Sequence, residues 1–391
     1  MNSTSGGQYG GRCIPGRRRS LLSTGLHHQL DSVEYGGSRI AGFDTGDDLW
    51  PQDATLMLAM RTRVLSVTAR MATKMASSRT VRSVQGHRHA SGAAAGNNDK
   101  GEPSPADIVT IERRSDGIAV VSLNRPNKMN ALNMDMFRGI VRATKELQQD
   151  RDVAVVILRG EGRAFCAGLD FKTVLSDPMS FSKNVRELMD REPREQVANL
   201  AQAVGYNWKK VPAPVICVTH GVCIGGGLQI ALGADFRYTD KDCQFSVMES
   251  KWGLVPDMSA SVTLRELVSI DVAKELTMTH RMFKGHEAKE LGLVTKVCED
   301  PMAEALAFAA DIAKISPDAV AAAKRLYNKT YALNDREALL LESELQTKLI
   351  LGWNNVASIA KGMGVPDFLA PKTSSRNEFW HKNLEDVDSV G

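Results

Sequence analysis

Short apolar runs alternate with helical patterns between residues 106 and 300, and this alternation restricts the possible folds more than any other feature of the sequence. Residues 153–158 and 214–219 are continuous apolar runs, which is typical of strands buried on both faces. From Phe137 to Leu147 apolar residues recur at helical spacing, behind Asn133, a residue type that often caps a helix. Strands that alternate with helices predict an α/β fold with a mostly buried sheet.

The two ends of this region have patterns of their own. Residues 108–113 and 118–123 are two strand-like segments joined by turn residues, which predicts a hairpin. After about residue 301 the strand pattern stops. Helices are predicted there at residues 303–315, 317–329 and 336–352. We therefore expect a core at 106–300 and a C-terminal helical region and tail at 301–391. The C-terminal helices have apolar residues on more than one face, which favours packing against another subunit. A lid over the same domain fits this pattern equally well.

The positive charge of the chain is concentrated near its start. Residues 1–105 contain 13 Lys and Arg against 8 Asp and Glu, which leaves 36 and 38 of the totals of 49 and 46 for residues 106–391. The folded part is therefore slightly acidic, which argues against nucleic acid as its partner. We interpret residues 1–105 as a disordered leader. Within it, residues 1–53 hold ten of the 32 glycines and are predicted to be unfolded.

Residues 54–98 contain no Asp or Glu but many Arg and Ser residues, which is the composition of an organelle transit peptide. A merely disordered basic tail is the alternative. Because transit peptides begin at the N-terminus, we expect translation to start at Met57 or Met60. The chain ends in Ser-Val-Gly and not in the peroxisomal Ser-Lys-Leu signal, so the mitochondrial matrix is the favoured location, ahead of plastid or peroxisome.

Several classes of protein and site are disfavoured. No apolar run approaches the roughly 18 to 20 residues of a membrane-spanning helix, so no membrane span is expected. The six cysteines form no Cys-x-x-Cys pair and no metal-type cluster, so neither a disulfide scaffold nor a metal site is expected.

A triple glycine at 225–227 stands where a strand gives way to a helical run. Glycine there lets a ligand approach bare backbone, and the free N–H groups of a helix start favour negative charge. Neither a phosphate-loop Gly-Lys-Ser/Thr nor a G-x-G-x-x-G pattern is present. From spacing alone, a tight packing turn is an equally good interpretation.

Further motifs occur in a fixed order along the chain. They are LNRPNKMNAL at 123–132, GRAFCAGLD at 162–170, HGVCIGGGLQ at 220–229, ADFR at 234–237, FSVME at 245–249, GLVPD at 253–257 and AKELGLV at 288–294. Over roughly residues 106–370 the chain thereby resembles the enoyl-CoA hydratase/isomerase, or crotonase, superfamily. The resemblance implies a spiral of repeated strand-strand-helix units, a C-terminal helical oligomerisation region, and a homotrimer or dimer of trimers. It also implies acyl-CoA thioester substrates with no separate cofactor, because CoA is part of the substrate.

The resemblance also implies a site. Removing a proton next to a thioester creates an enolate oxygen, which two fixed N–H donors can stabilise. By similarity these donors are the backbone N–H groups of Leu169 and Gly226. Arg125 and Lys128 are candidates to bind the CoA phosphates, with ordinary solvated loop cations as the alternative. The remaining candidates for substrate contact are Ala167, Asp170, Gly225 and Gln229.

The acids decide which reaction is favoured. Hydratases of the superfamily carry a glutamate, and dienoyl-CoA isomerases an aspartate, at the position of Gln229. Glu249 occupies the second acid position, and Asp257 matches an acid of the dienoyl-CoA isomerases. Hydration normally uses two carboxylates, whereas one can move a proton along a dienolate. We therefore expect a double-bond isomerase of fatty-acid β-oxidation, closest to the dienoyl-CoA isomerase-like branch, with Glu249 as base.

Three roles are open for Asp257: it could orient Glu249, raise the pKa of Glu249, or act as a second acid, and a simple helix cap is the structural alternative. The alternative functions are an enoyl-CoA hydratase, a CoA-thioester hydrolase, and a non-catalytic RNA-binding or scaffold protein.

Overall fold

The computed structural model describes residues 103–364, apart from 175–177, 192 and 194–195, together with residues 373–378 and 380. The predicted leader at 1–105 therefore lies almost entirely outside the described residues. The same holds for the transit-peptide-like segment at 54–98 and for most of the tail.

The main sheet begins with the predicted hairpin, which the structure confirms. Strand β1 is Val109–Arg113 and β2 is Ile118–Leu123, and they pair antiparallel. The other strands of this sheet are all parallel to β2: β3 at Val155–Gly160, β4 at Val215–Thr219, β6 at Phe236–Thr239 and β9 at Lys296–Val297. Their order across the sheet is β1-β2-β3-β4-β6-β9.

A second, smaller layer of strands lies beside the main sheet, and the chain enters it after β4 and again after β6. Its strands are β5 at Val222–Ile224, β7 at Gln244–Ser246 and β8 at Phe283–Lys284, in the order β5-β7-β8. Isolated parallel bridges, Cys166 with Cys223 and Leu132 with Leu169, extend this layer toward the start of the chain. The chain therefore runs from main sheet to second layer and then into a helix in successive turns, so the predicted strand-strand-helix repeat is confirmed.

Helices of the core follow the second-layer segments. The first, α1, spans Met134–Gln149, and the side-chain oxygen of its N-cap Asn133 accepts a hydrogen bond from the Met136 N–H at 2.9 Å, as the sequence predicts. The others are α2 at Phe171–Val174, α3 at Pro178–Met189, α4 at Leu200–Tyr206, α5 at Gly226–Leu232, α6 at Ala260–Leu267, α7 at Ile270–Thr279 and α8 at Gly285–Glu290. Short 3-10 turns occupy Pro126–Lys128, Asn207–Lys210 and Glu249–Trp252.

Both faces of the main sheet are buried, which explains its continuous apolar strands. In β2, Val121 joins a large cluster that includes α1. Its neighbour Val120 belongs to a separate cluster on the opposite face. That second cluster contains Ala305 and Ala309 of a C-terminal helix. Because successive side chains of a strand point to opposite faces, one strand needs apolar residues at every position to serve both clusters.

The C-terminal region is helical: α9 spans Pro301–Ile312, α10 Pro317–Thr330, α11 Asp335–Leu349 and α12 Trp353–Gly362. The three predicted helices correspond to α9, α10 and α11, whereas α12 was not predicted. Lys324 fastens α10 to the core, because its buried ammonium lies 2.7 Å from the carboxylate of Asp235. None of the helices in the described part of the chain has both the length and the apolar character that a membrane crossing needs.

Candidate active site

The candidate site lies at the carboxyl ends of the second-layer strands. Strands β5 and β7 are parallel, and the N–H of Gly225, just after β5, donates to the carbonyl of Ser246 at the end of β7. The distance of that hydrogen bond is 2.9 Å. Carboxyl ends of parallel strands meet at one edge, where α/β proteins form ligand sites. Leu169, Gly226 and Glu249 therefore come to the same edge.

Two backbone N–H groups remain available there. Within the described part of the chain, neither the Leu169 N–H nor the Gly226 N–H donates a hydrogen bond. The two segments run close together, since a β-carbon placed on Gly168 would lie 3.8 Å from the Gly226 nitrogen. Such a pair of N–H groups suits an oxygen that becomes negative during a reaction.

The glycines at the start of α5 are required by the backbone turn and by close packing. Gly225 has φ 53° and ψ −125°, a combination that L-residues rarely adopt. Gly226 has an ordinary backbone, but a β-carbon there would lie 2.8 Å from side-chain atoms of Leu132 and Met258. The triple glycine thus combines a strained turn with close packing.

Glu249 is the buried carboxylate of the site. It begins the 3-10 turn after β7, and only 8% of it is exposed. Its Oε1 accepts a hydrogen bond of 2.6 Å from the Nε2 of Gln229. Its Oε2 is also buried and has no hydrogen-bond partner among the described residues. One oxygen is therefore held, and the other is free to exchange a proton.

The surroundings of Glu249 favour its protonated form. Burial raises the pKa of the Glu249 carboxyl, the hydrogen bond from Gln229 acts in the opposite direction, and the charge of nearby Asp257 raises the pKa further. Burial also raises the pKa of half-buried Asp257. A carboxyl that takes up and gives back a proton works best when its pKa lies nearer to neutral pH.

Asp257 does not cap a helix. The N-cap of α6 is Ser259, and α6 begins at Ala260, so the structural alternative for Asp257 is wrong. The negative charge of Asp257 is close enough to act on Glu249.

Gln229 is buried at 2% exposure within α5, and its amide is bound at both ends. Its Oε1 accepts hydrogen bonds from the N–H groups of Met258 and Ala260, at 2.8 and 3.3 Å, while its Nε2 donates to Glu249. These contacts are all within the protein. The sequence predicts that Gln229 contacts substrate. In the structure its side chain is instead buried and bonded to Glu249, Met258 and Ala260.

Arg125 is likewise placed differently from the predicted phosphate contact. Its side chain is 2% exposed, and its guanidinium bonds to the carbonyl of Ala131 and lies 3.2 Å from the Asp170 carboxylate. Buried Asn130 supports the same loop by accepting from the Arg125 N–H at 2.8 Å. Arg125 and Asp170 therefore stabilise the loop that precedes α1 rather than meeting a CoA phosphate, whereas Lys128, in the 3-10 turn, is exposed.

The N–H of Ala167 donates to the carbonyl of Met129 at 2.9 Å, so this backbone group is engaged within the protein.

Around the site, a set of apolar side chains went unrecognised in the sequence. The rings of Phe171 and Trp252 lie 4.5 Å apart between centroids. Beyond Trp252, Leu254 and Val255 are 52% and 73% exposed. A sequence signal was present for three of them, because Trp252, Leu254 and Val255 stand between Glu249 and Asp257 in a segment that also contains glycine and proline.

Among the described residues, no group of His, Cys, Asp and Glu side chains is arranged to hold a metal ion.

Fold and site together define an α/β protein with two layers of strands, in which a glycine turn and a buried carboxylate share one edge. A family model described as enoyl-CoA hydratase/isomerase matches residues 113–365. The chain therefore belongs to the enoyl-CoA hydratase/isomerase family, whose members have the crotonase fold, and it is an enzyme of that superfamily.

Proteins named as dienoyl-CoA isomerases and proteins named as enoyl-CoA hydratases are both similar to this chain. A peroxisomal Delta(3,5)-Delta(2,4)-dienoyl-CoA isomerase of Arabidopsis thaliana is 38% identical over 176 residues, which cover 45% of this chain and 63% of that protein. A mitochondrial protein of the same name from Mus musculus is 32% identical over 240 residues, or 59% of this chain and 73% of that protein. An enoyl-CoA hydratase of Mycobacterium tuberculosis is 31% identical over 243 residues, or 62% and 88%.

Solved structures show the same fold. An enoyl-CoA hydratase from Mycobacterium smegmatis aligns with a TM-score of 0.58 and 25% identity, over 66% of this chain and 96% of that one. An enoyl-CoA hydratase from Thermoplasma volcanium aligns with a TM-score of 0.57 and 27% identity, over 65% and 96%. The predicted crotonase-like fold is thereby confirmed.

Proposed function

We propose that this protein shifts a double bond in an enoyl-CoA or dienoyl-CoA during fatty-acid β-oxidation. The Oε2 atom of Glu249 removes a proton from the carbon next to the thioester carbonyl and returns it further along the chain. The N–H groups of Leu169 and Gly226 stabilise the oxygen of the dienolate in between. The substrate carries its own CoA, so the reaction needs no additional cofactor.

The observation that carries the proposal is the presence of one proton-exchanging oxygen where a hydratase would have two acids. Glu249 offers a buried Oε2 without a partner among the described residues. The amide of Gln229 cannot exchange a proton at neutral pH, and it is bonded at both ends. Moving a double bond needs one group that takes and returns the same proton.

The backbone donors support the same reaction. The unengaged N–H groups of Leu169 and Gly226 lie at the carboxyl end of the second layer of strands. In related chemistry, losing one such donor costs about 10²- to 10³-fold in rate. Enolate stabilisation is common to the whole superfamily, so this feature supports the class of chemistry and Glu249 decides the reaction.

Hydration is the second candidate, because a specific observation favours it. Burial raises the pKa of Asp257, so this carboxyl could serve as the second acid in place of Gln229. Relatives named as enoyl-CoA hydratases are also similar to this chain. We rank hydration below isomerisation because the position where the resemblance implies the first acid of a hydratase holds the amide of Gln229.

An activity panel of 2-enoyl-, 3-enoyl- and 3,5-dienoyl-CoAs at several chain lengths tests the proposal. Double-bond migration in 3-enoyl or 3,5-dienoyl substrates is the expected result. Formation of 3-hydroxyacyl-CoA from 2-enoyl-CoA would favour hydration, and release of free CoA would favour thioester hydrolysis. A chain that is inactive on all of them but binds RNA in a strongly salt-dependent way would be a scaffold or RNA-binding protein.

The setting of the enzyme is part of the proposal. We propose a homotrimer or dimer of trimers in the mitochondrial matrix, with residues 1–105 as leader and 301–391 as the helical region that contacts partner subunits. Relatives named as mitochondrial and as peroxisomal are both similar to this chain. Mass spectrometry of the mature N-terminus would detect cleavage within 54–98, and abundant peptides from residues 1–50 would contradict the proposed start.

A further inference from the structure

Gln229 links the two acids of the site, although neither acid is near it in sequence. Its Nε2 donates to the Oε1 of Glu249 at 2.6 Å. Its Oε1 accepts from the N–H groups of Met258, the residue after Asp257, and of Ala260, at the start of α6. One amide therefore touches one acid itself and the turn that carries the other.

The orientation of this amide is determined by its partners. Backbone N–H groups are donors only, so the atom that faces Met258 and Ala260 has to be the carbonyl oxygen. The NH₂ group then has to face Glu249. A flipped amide would place donors against donors at one end and two acceptors against each other at the other. Glu249 therefore receives a donated hydrogen bond at Oε1 in every favourable arrangement of the site.

The turn beside Asp257 needs such support. Ser259 has φ 77°, in the left-handed region that a residue other than glycine rarely occupies. Strained backbone of this kind persists only when its surroundings hold it. The two N–H groups bound by Gln229 belong to Met258 and Ala260, on either side of Ser259.

We propose that Gln229 is the positioning residue for both acids, a role that rests on the isomerase function proposed above. It holds Oε1 of Glu249 as an acceptor, so that Oε2 alone carries the proton. Through Met258 and Ala260 it holds the strained turn that places Asp257. The position at which the resemblance implies an acid thus serves here to arrange Glu249 and Asp257.

Few ionisable groups surround Glu249 in the described part of the chain. Asp257 faces it from the turn before α6, and Lys251 is a neighbour in its own 3-10 turn. His280, at the end of α7, packs against that turn through Ser250, with its Nδ1 3.3 Å from the hydroxyl oxygen. Gln229 contributes a neutral donor, which favours the charged form of Glu249.

Two substitutions separate the two ends of the amide. Gln229→Leu removes donor and acceptor together, whereas Gln229→Glu keeps an acceptor for Met258 and Ala260 but sets a second carboxylate against Glu249. In both variants Glu249 loses a donor that favours its charged form, so the acidic limb of the kcat/KM profile should move to higher pH. The move should be larger for Gln229→Glu, because two carboxylates then share one proton. We also expect kcat to fall about 10²-fold through misplacement of the acids.

Thr144→Val is the matched control for a general loss of stability. Thr144 is fully buried in α1 and bonds to the carbonyl of Val141 and to Asn207, away from Glu249. It should lower the unfolding temperature while the pH profile stays that of the wild type. A Gln229→Leu profile that overlays the wild type, or that changes no more than in Thr144→Val, would overturn the positioning role.

A second readout needs no substrate and therefore separates this inference from the proposed function. The unfolding temperature is measured against pH for wild type, Gln229→Leu and the double variant Gln229→Leu/Glu249→Gln. In the wild type, the unfolding temperature should fall as pH rises and Glu249 ionises. In Gln229→Leu this fall should continue to higher pH, because the pKa of Glu249 is higher. In the double variant the fall due to Glu249 should be absent. Absence of isomerase activity in the wild type would reject the proposed function, whereas an unchanged stability profile in Gln229→Leu would reject the positioning role.

Discussion

At the scale of single residues, Glu249 is an ionisable group whose burial has a cost. Burial raises its pKa, so the folded protein holds a proton on Glu249 more readily than the unfolded chain does. A glutamate with a raised pKa stabilises the fold fully only below its unfolded pKa, and that stability is lost as pH rises through the folded pKa. Function and stability therefore oppose each other at this residue.

Replacing the carboxyl by an amide should remove this opposition. In Glu249→Gln the Oε1 acceptor for Gln229 is kept, but no charge forms on the buried side chain. We expect the unfolding temperature of Glu249→Gln to equal that of the wild type at acidic pH and to exceed it increasingly as pH rises toward neutrality. Glu290→Gln, at the exposed end of α8, is the control and should match the wild type throughout. A Glu249→Gln variant that is less stable at neutral pH would contradict the assigned pKa direction.

At the scale of elements, the sequence predicted what depends on local pattern. The hairpin, the buried strands and the cap of α1 were all visible as periodicity or as a capping residue. Helix α12 was not, because α11 ends at Leu349, Leu351 turns the chain at φ 62°, and Gly352 caps a new helix without a strong local sequence signal. The partners of Gln229 and the burial of Arg125 were also not predictable, since both depend on contacts between segments distant in sequence.

Helix α10 offers a direct test of how the C-terminal region is fastened. Lys324 is buried with Asp235 and also donates to the carbonyls of Trp208 and Ala213. Lys324→Met leaves Asp235 without its counter-charge and should cost about 3 to 5 kcal/mol in free energy of unfolding, measured by urea titration.

The control for this substitution is Lys314→Met. Lys314 forms an ion pair with Asp311 at 2.8 Å, but both side chains are largely exposed. Such pairs contribute about 0 to 1 kcal/mol, so this variant should be close to the wild type. Equal losses in the two variants would show that the buried pair does not fasten α10.

At the scale of the whole molecule, the C-terminal helices carry much exposed apolar surface. Leu339 and Leu340 of α11 are 60% and 56% exposed, and Leu351 after α11 is 82% exposed. Large exposed apolar patches mark interaction sites. The proposed homo-oligomer accounts for them, because the same helices of neighbouring subunits would cover one another.

Charges placed on this surface should separate the subunits. We expect sedimentation equilibrium to give three or six times the chain mass for the wild type, and smaller species for a Leu339→Asp/Leu340→Asp variant. Lys145→Glu changes an exposed side chain of α1 and should leave the oligomer intact. A wild-type chain that sediments as a monomer would contradict the proposed assembly.

The central claim is that Glu249 alone carries the proton during double-bond migration. The most direct measurement follows the conversion of 3-enoyl-CoA and 3,5-dienoyl-CoA by NMR, with wild type and Glu249→Gln compared side by side at equal, folded concentrations. We predict that the wild type shifts the double bond and that kcat falls by about 10²-fold or more in the variant, since a general base contributes roughly that much. An unchanged rate of isomerisation in Glu249→Gln would contradict the claim.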